Sequence, residues 1–203
     1  MKGMQLLPEL NSGGVERGTL EIARALVAQG HTSLVVSNGG RMVNQLEAEG
    51  STHLKLAIHK KSLSSLWQIR PLRQLIVQHQ PDIVHVRSRV PAWLTHFALK
   101  GIPAEKSPHL LSTVDGLYSI NRYSQIMTQA EKVTAVSDSV VKYIRDHYQN
   151  CPPEDIVRIY RGIDPAAFPH GYQPSAQWIQ QTYQDFPVLV HWFLFCLPER
   201  IKC

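Results

Sequence analysis

Short apolar runs rich in β-branched residues alternate along the chain with longer amphipathic segments. The short runs predict β-strands, and apolar residues spaced three or four positions apart predict helices. The predicted strands are Met4–Leu7, Thr32–Ser37, Leu54–Ile58, Asp82–Val86, Leu110–Val114, Lys132–Val136 and Ile156–Tyr160. The predicted helices are 15–29, 41–49, 64–80, 91–100, 119–130 and 138–149. This alternation predicts an α/β fold, a doubly wound parallel sheet with helices on both faces.

Helix ends and buried faces follow from the same pattern. Gly30 is expected to end the first helix as its C′ residue, and Pro71 to kink or restart the segment that begins at Ser64. That segment carries an apolar stripe, which we expect to pack in the core. Its members are Leu66, Trp67, Leu75 and Ile76.

The alternation stops near the end of the chain, which predicts three parts. Residues 1–164 form the first domain, and the Pro- and Gly-containing segment 165–187 is a linker with a short helix at Gln177–Asp185. Residues 188–203 contain an apolar run suited to a buried parallel strand, but no later strand follows to pair with it. We therefore expect a second α/β domain that is cut short.

Composition narrows the functional classes. The 203 residues are 43% hydrophobic and 18% charged, as expected of a globular protein. The net charge of +5 is spread thinly, with Lys60-Lys61 the one Lys/Arg doublet, so no nucleic-acid partner is expected. No apolar run approaches the ~18 residues of a membrane span. Three cysteines, Cys151, Cys196 and Cys203, indicate neither a disulfide framework nor zinc. A cytoplasmic location is the simplest expectation.

The loop Asn11-Ser12-Gly13-Gly14 joins the first strand to the first helix. Its amides would lie at the carboxyl edge of the sheet and at a helix N-terminus, where phosphate or another polar ligand binds. A turn that only caps the helix, with Asn11 or Ser12 as N-cap, explains the loop equally well. The spacing does not match a dinucleotide fingerprint or a P-loop.

Other polar residues follow the predicted strands and so converge on the same edge of the sheet. They are Arg87, Ser88 and Arg89 after the fourth strand, Asp115 and Gly116 after the fifth, and Ser137 and Asp138 after the sixth. Each could also be a solvated loop residue, and Ser137 or Asp138 is expected to be an N-cap. Their convergence predicts a ligand site.

Several chemistries lack support. His85 lies inside a strand and is expected to be a packed, hydrogen-bonded core residue. No H-E-x-x-H spacing indicates a metal site, and no G-x-S-x-G elbow or cysteine nucleophile indicates a hydrolase. We expect no metal ion and no cofactor.

Five motifs point to a family. They are LPELNSGGVERGTLEIARALVAQGH, PDIVHVRSR, STVDGLYS, VTAVSDSVVKYI and RIYRGIDPAAF. In these motifs, from Met4 to Phe168, the chain resembles glycosyltransferase family 4, the group 1 enzymes that build lipopolysaccharide and other glycans. The resemblance implies the N-terminal Rossmann-like domain of a GT-B fold, with the second domain missing. It also implies retaining, metal-independent transfer from a nucleotide-sugar donor to a glycan or lipid-linked acceptor.

The resemblance also assigns roles within the motifs. Gly13 and Gly14 would lie against the donor phosphates, Asp115-Gly116 would line the sugar and acceptor side, and Arg161–Asp164 would mark the interdomain crossing. Arg87, Arg89 and Ser137 are the other candidate binding residues. Asp115 stands where family members usually have a catalytic histidine, Arg161 where asparagine is commoner, and Glu199 where glycine is commoner.

Three hypotheses remain. The first is the acceptor-side half of such an enzyme, weak or inactive unless a separately encoded C-terminal domain completes it. The second is a non-catalytic binding protein or remnant of such an enzyme. The third is another Rossmann-like enzyme, such as a sugar-nucleotide epimerase. Peripheral membrane binding would use Leu66 and Trp67 with nearby cations, an interpretation ranked below core packing. Those cations are Lys60, Lys61, Arg70 and Arg73.

Overall fold

A computed structural model describes residues 1–162, 171 and 173–185. The chain separates into two compact units, Met1–Arg161 and Gly162–Cys203. The predicted division at 164 and 187 stays a prediction. The linker residues 165–170, 172, 186 and 187, the apolar run 188–197, Glu199 and both C-terminal cysteines lie outside the described residues.

Unit Met1–Arg161 contains a seven-stranded parallel sheet, which confirms the predicted fold class. The strands are β1 Lys2–Leu6, β2 Thr32–Ser37, β3 Thr52–Lys55, β4 Ile83–Val86, β5 His109–Val114, β6 Lys132–Ala135 and β7 Ile156–Arg158. Their spatial order is β3-β2-β1-β4-β5-β6-β7. The order reverses direction between β1 and β4, so the loops that leave these two strands diverge and open a crevice.

Helices occupy most of the predicted positions. They are α1 Gly14–Ala28, α2 Val43–Ala48, α3 Ile69–His79, α4 Arg89–Leu99 and α5 Asp138–His147, with α6 Ala176–Asp185 in the second unit. Short 3-10 helices lie at Leu63–Gln68, Ala104–Lys106, Ser124–Thr128 and Pro153–Asp155.

The sheet separates two hydrophobic clusters, because successive side chains of a strand point to opposite faces. On β2, Leu34 and Val36 enter the larger cluster while Val35 enters the smaller one beneath α1. Polar side chains are also buried in this unit, among them Gln5, Thr19 and His85.

The prediction of a helix at 119–130 is wrong. The segment forms only the 3-10 helix Ser124–Thr128. Neighbouring side chains bind the carbonyl groups that an α-helix would use: Trp93 Nε1 donates to Tyr123 O at 3.0 Å, and Ser112 Oγ to Met127 O at 2.6 Å. Tertiary hydrogen bonds therefore replace the helical ones.

Two predicted helix ends have opposite outcomes. Gly30 has a φ of +73°, and the amides of Gly30 and His31 bind Val27 O and Leu26 O, so the predicted C′ glycine is confirmed as part of a Schellman motif. Neither Asn11 nor Ser12 caps α1. Gly13 is its N-cap, with a φ of +148° and no side-chain cap.

The apolar stripe of the segment 64–80 is only partly buried. Ile76 is buried, but Leu66 is 48% and Trp67 81% exposed, so their predicted core packing is wrong. The 3-10 helix Leu63–Gln68 precedes α3 with a different periodicity and turns these two side chains outward. Pro71 lies in the first turn of α3, where no amide partner is needed.

Candidate functional site at the carboxyl edge of the sheet

A pocket of about 420 Å³ lies at the carboxyl edge, where the strand order reverses. Its lining comes from the loop after β1, the start of α1, and the segments after β4 and β5. The residues are Pro8, Val15, Glu16, Arg87, Ser88, Arg89, Asp115, Gly116, Leu117 and Tyr118. The structure thus brings four of the predicted site residues, Arg87, Arg89, Asp115 and Gly116, into one pocket.

Arg87 is the most enclosed charge of the pocket. Its side chain is 4% exposed, and its Nη1 donates to Gln5 Oε1 at 3.5 Å. Gln5 is fixed in turn by its Nε2, which donates to Thr19 O at 3.0 Å. Burial lowers the pKa of Arg87, and the charge of Asp115 opposes this shift. The guanidinium group is therefore held in one orientation by β1, α1 and β5.

Asp115 joins two arginines. Its Oδ1 lies 3.8 Å from Arg87 Nη2 and also accepts a hydrogen bond from Arg161 Nη2. The carboxylate is 9% exposed, and the two guanidinium groups compensate its charge. Asp115 Oδ2 and Arg87 Nε are buried without a hydrogen-bond partner among the described residues. Both atoms are shielded from solvent by the side chains around them.

The glycine loop reaches the same cluster. A Cβ on Gly14 would collide with Arg161 Nη1, so this guanidinium lies directly against the first residue of α1. The N-terminus of α1 has no side-chain cap, and its free amides with the helix dipole favour an anion. Glu16 folds back towards Gly13 and places one carboxylate beside the N-terminus of α1.

Arg89 lies at the outer side of the pocket. Its guanidinium is 5.0 Å from the ring centre of Tyr118 and 5.4 Å from that of Tyr123, and Nη1 donates to Ser124 Oγ at 3.3 Å. Burial raises the pKa of Tyr118, with Asp115 adding to the shift, so the phenol stays neutral at physiological pH. Arg89 is thus held by aromatic stacking and a hydroxyl group.

Ser137 and His85 have structural positions. Ser137 Oγ accepts from Val140 N at 3.3 Å, which confirms the predicted N-cap of α5. His85 Nε2 lies 2.7 Å from Thr113 Oγ1 inside the sheet, and burial lowers the pKa of His85 to about 3. The prediction of a packed core histidine is confirmed. Among the described residues, no group of three His, Cys, Asp or Glu side chains is arranged to hold a metal ion.

Sequence reasoning missed three residues that build this site. Gln5 is polar within a buried strand, and Gly18 interrupts a helix, which are the signals that could have drawn attention to them. A Cβ on Gly18 would lie 3.0 Å from Arg87 Nη2, so the glycine makes room for the guanidinium. Tyr118 had no comparable signal, because its contact with Arg89 depends on the course of the loop after β5.

A separate apolar groove of about 220 Å³ lies beside α4. Trp93 and Phe97 stack at 5.7 Å on one wall, and Leu66 lines another. Lys61 Nζ lies 4.2 Å from the ring centre of Tyr123, and Lys60 also borders the groove. The groove therefore combines apolar walls with a cationic rim.

The sequence of this chain matches a known protein family. The family model for Glycosyltransferase Family 4 matches residues 12–167, more than half of the chain. The chain belongs to glycosyltransferase family 4. The family resemblance drawn from the five motifs is confirmed, which argues against an unrelated Rossmann-like enzyme. A search of curated proteins found no significant match.

Solved structures share the architecture of this family 4 chain. A glycosyltransferase from Rickettsia africae ESF-5 is similar at 30% identity and a TM-score of 0.73, over 92% of this chain and 49% of that one. Anabaena Alr3699/HepE, solved with UDP and glucose, has 19% identity and a TM-score of 0.67, over 91% and 50%. The lipopolysaccharide outer core galactosyltransferase WaaB has 16% and 0.63, over 81% and 46%. The chain spans about half the length of these proteins, as expected of the N-terminal domain of a GT-B fold.

Proposed function

We propose that this chain is the acceptor-side domain of a retaining glycosyltransferase. The reaction moves a sugar from a nucleotide-sugar donor to a glycan or lipid-linked acceptor, without a metal ion or a cofactor. By itself the chain is expected to transfer sugar weakly or not at all, because family members hold the donor mainly in their second domain. A C-terminal donor-binding domain, on the same polypeptide or on another, would complete the site.

The pocket at the strand-order reversal is the observation that carries this proposal. It places Arg87 and the uncapped N-terminus of α1 around one space, beside Arg161. Transfer of a sugar releases a nucleoside diphosphate, whose growing negative charge needs fixed donors and cations. Arginines and helix amides supply both.

Titration calorimetry of the 203-residue chain with UDP-, GDP- and ADP-sugars tests the donor. Nucleotide release in the presence of saccharide and lipid acceptors tests the reaction. Weak donor binding that strengthens when a family 4 C-terminal domain is added supports the proposal. Binding that no added domain changes, with no nucleotide released, would favour the second hypothesis, a non-catalytic binding protein.

We further propose that the acceptor is lipid-linked and that the first unit lies at an anionic membrane surface. The exposed Leu66 and Trp67 continue the apolar groove beside α4, and Lys60 and Lys61 border it. Apolar side chains flanked by cations suit the interface of an anionic bilayer. Among the described residues no helix is long and apolar enough to cross a membrane, so this contact would be peripheral.

Co-sedimentation with vesicles containing about one third anionic lipid tests this surface. We expect Leu66→Ser with Trp67→Ser to lower the bound fraction several-fold without changing the unfolding temperature, since both side chains are exposed. Val157→Thr on the edge strand β7 removes an exposed apolar group elsewhere and should leave vesicle binding unchanged. Equal binding by all three proteins would refute the membrane proposal.

A further inference from the structure

The carboxylate of Asp115 has two arginine partners on a single oxygen. Arg87 approaches Oδ1 from β4, and Arg161 approaches it from the segment after β7. A general base needs a lone pair directed at the substrate and free to take its proton. Here the more accessible partner, Arg161, is 38% exposed, while the carboxylate beneath it is 9% exposed. The Arg161 guanidinium group therefore lies between the Asp115 carboxylate and the solvent.

Arg161 itself faces the anion-favouring end of α1. Its Nη2 is occupied by Asp115, while Nη1 lies against Gly14. A guanidinium has five N–H donors in a fixed fork, so those without a partner among the described residues can bind a ligand. Held in this orientation, Nη1 lies beside Gly14, the first residue of α1.

We propose that Asp115 is a positioning residue, which holds the guanidinium group of Arg87 in the pocket and that of Arg161 at the α1 N-terminus so that together they bind a diphosphate. The carboxylate accepts no proton from the substrate. The identity of the diphosphate as that of the nucleotide-sugar donor rests on the proposed function. The positioning role itself rests only on the contacts among Asp115, Arg87 and Arg161.

The sign of one substitution separates positioning from simple electrostatics. A carboxylate near an anion repels it, so removing the charge of Asp115 would tighten anion binding if charge alone mattered. If Asp115 positions the arginines, Asp115→Asn weakens binding, because both guanidinium groups lose the negatively charged carboxylate that they share. Inorganic pyrophosphate is the probe, measured by titration calorimetry on the full 203-residue chain at low ionic strength.

We expect Asp115→Asn to weaken pyrophosphate binding about tenfold, the scale of one charge-assisted hydrogen bond. Glu16→Gln is the matched control. It removes one carboxylate from the same pocket, and the described part of the chain shows no arginine paired with it, so binding should tighten. Asp115→Asn should cost less affinity in an Arg161→Gln background than in the unmodified chain, because only the contact with Arg87 is then left to lose.

Arginine side-chain NMR supplies a readout that does not depend on the ligand. With ¹⁵N-labelled arginine, the η signals of Arg87 and Arg161 should shift or broaden in Asp115→Asn. Those of Arg158, which pairs with Asp138, should not change, and a uniform loss of signals would identify an unfolded variant. Asp115→Glu restores the charge, and it should recover part of the affinity if Asp115→Asn is poorly folded.

Different outcomes would overturn the positioning role, the diphosphate assignment and the proposed function. Unchanged or tighter pyrophosphate binding by folded Asp115→Asn overturns the positioning role, as do unchanged η signals of both arginines. Absence of pyrophosphate binding by the unmodified chain overturns the diphosphate assignment, while the NMR shifts still decide the positioning of the arginines. Absence of sugar transfer even with an added family 4 C-terminal domain, while pyrophosphate binding is intact, would count against the proposed function and not against this inference.

Discussion

The Arg161 guanidinium fills the space that Gly14 leaves open at the first turn of α1, where a Cβ would overlap Nη1. Gly14→Ala should therefore push Arg161 away from the helix N-terminus. Arg161 is 38% exposed and can move, so we expect a stability change below about 0.5 kcal/mol. Pyrophosphate affinity should nevertheless fall several-fold in titration calorimetry.

Gly162→Ala is the matched control for this substitution. It adds the same methyl group next to Arg161 along the chain, where no atom of the described residues beyond its chain neighbours lies within 4 Å of the new Cβ. Its affinity should match that of the unmodified chain. Equal affinities for Gly14→Ala and Gly162→Ala would mean that Arg161 does not act from this position.

Two tyrosine hydroxyl groups bind backbone carbonyl groups of the loop after β5. One tyrosine lies in α5 and the other is the residue that follows it. Tyr143 Oη donates to Tyr118 O, and Tyr148 Oη donates to Ser119 O at 3.4 Å. Tyr143→Phe should cost about 1 kcal/mol of unfolding free energy. Amide exchange at residues 117–123 should accelerate beyond this global effect, because the loop loses a tether. In Tyr160→Phe, which removes an exposed hydroxyl, exchange in this loop should stay unchanged.

His85 makes stability fall in acid. Burial holds its folded pKa at about 3, below the ordinary 6.5, so the unfolded chain binds the proton more tightly. The stabilisation is complete above pH 6.5 and decreases as pH falls towards 3. Between pH 7 and pH 5 the loss should be about 2 kcal/mol. Urea unfolding at both pH values measures it.

His85→Gln separates this histidine from other titrating groups. The amide can keep a hydrogen bond to Thr113 but has no proton to gain. The difference in unfolding free energy between pH 7 and pH 5 should shrink by about 2 kcal/mol in this variant. An unchanged difference would place the acid sensitivity elsewhere in the protein.

Ser137 caps α5 through Val140 N. Ser137→Ala should lower the unfolding free energy by about 1 kcal/mol and leave pyrophosphate binding unchanged, because the hydroxyl serves the helix. Weaker pyrophosphate binding by a stable Ser137→Ala variant would return Ser137 to the ligand site.

The sequence by itself determined the order of strands and helices in the first unit, the parallel sheet and the edge on which polar residues gather. Periodicity and capping are local, so Gly30 and Ser137 could be assigned from their neighbours alone. Because parallel strands expose their carboxyl ends together, Arg87 and Asp115 could be placed at one edge without coordinates.

Only the tertiary structure decided what these residues touch. Arg87 meets Gln5 across 82 positions, and Arg161 meets Asp115 across 46, so no local pattern encodes either contact. In the segment 119–130, carbonyl groups that an α-helix would use bind side chains from β5 and α4 instead. Local periodicity determines which face of a segment is apolar. Packing between distant segments determines which charges are paired and which backbone carbonyl groups bind side chains instead of helical amides.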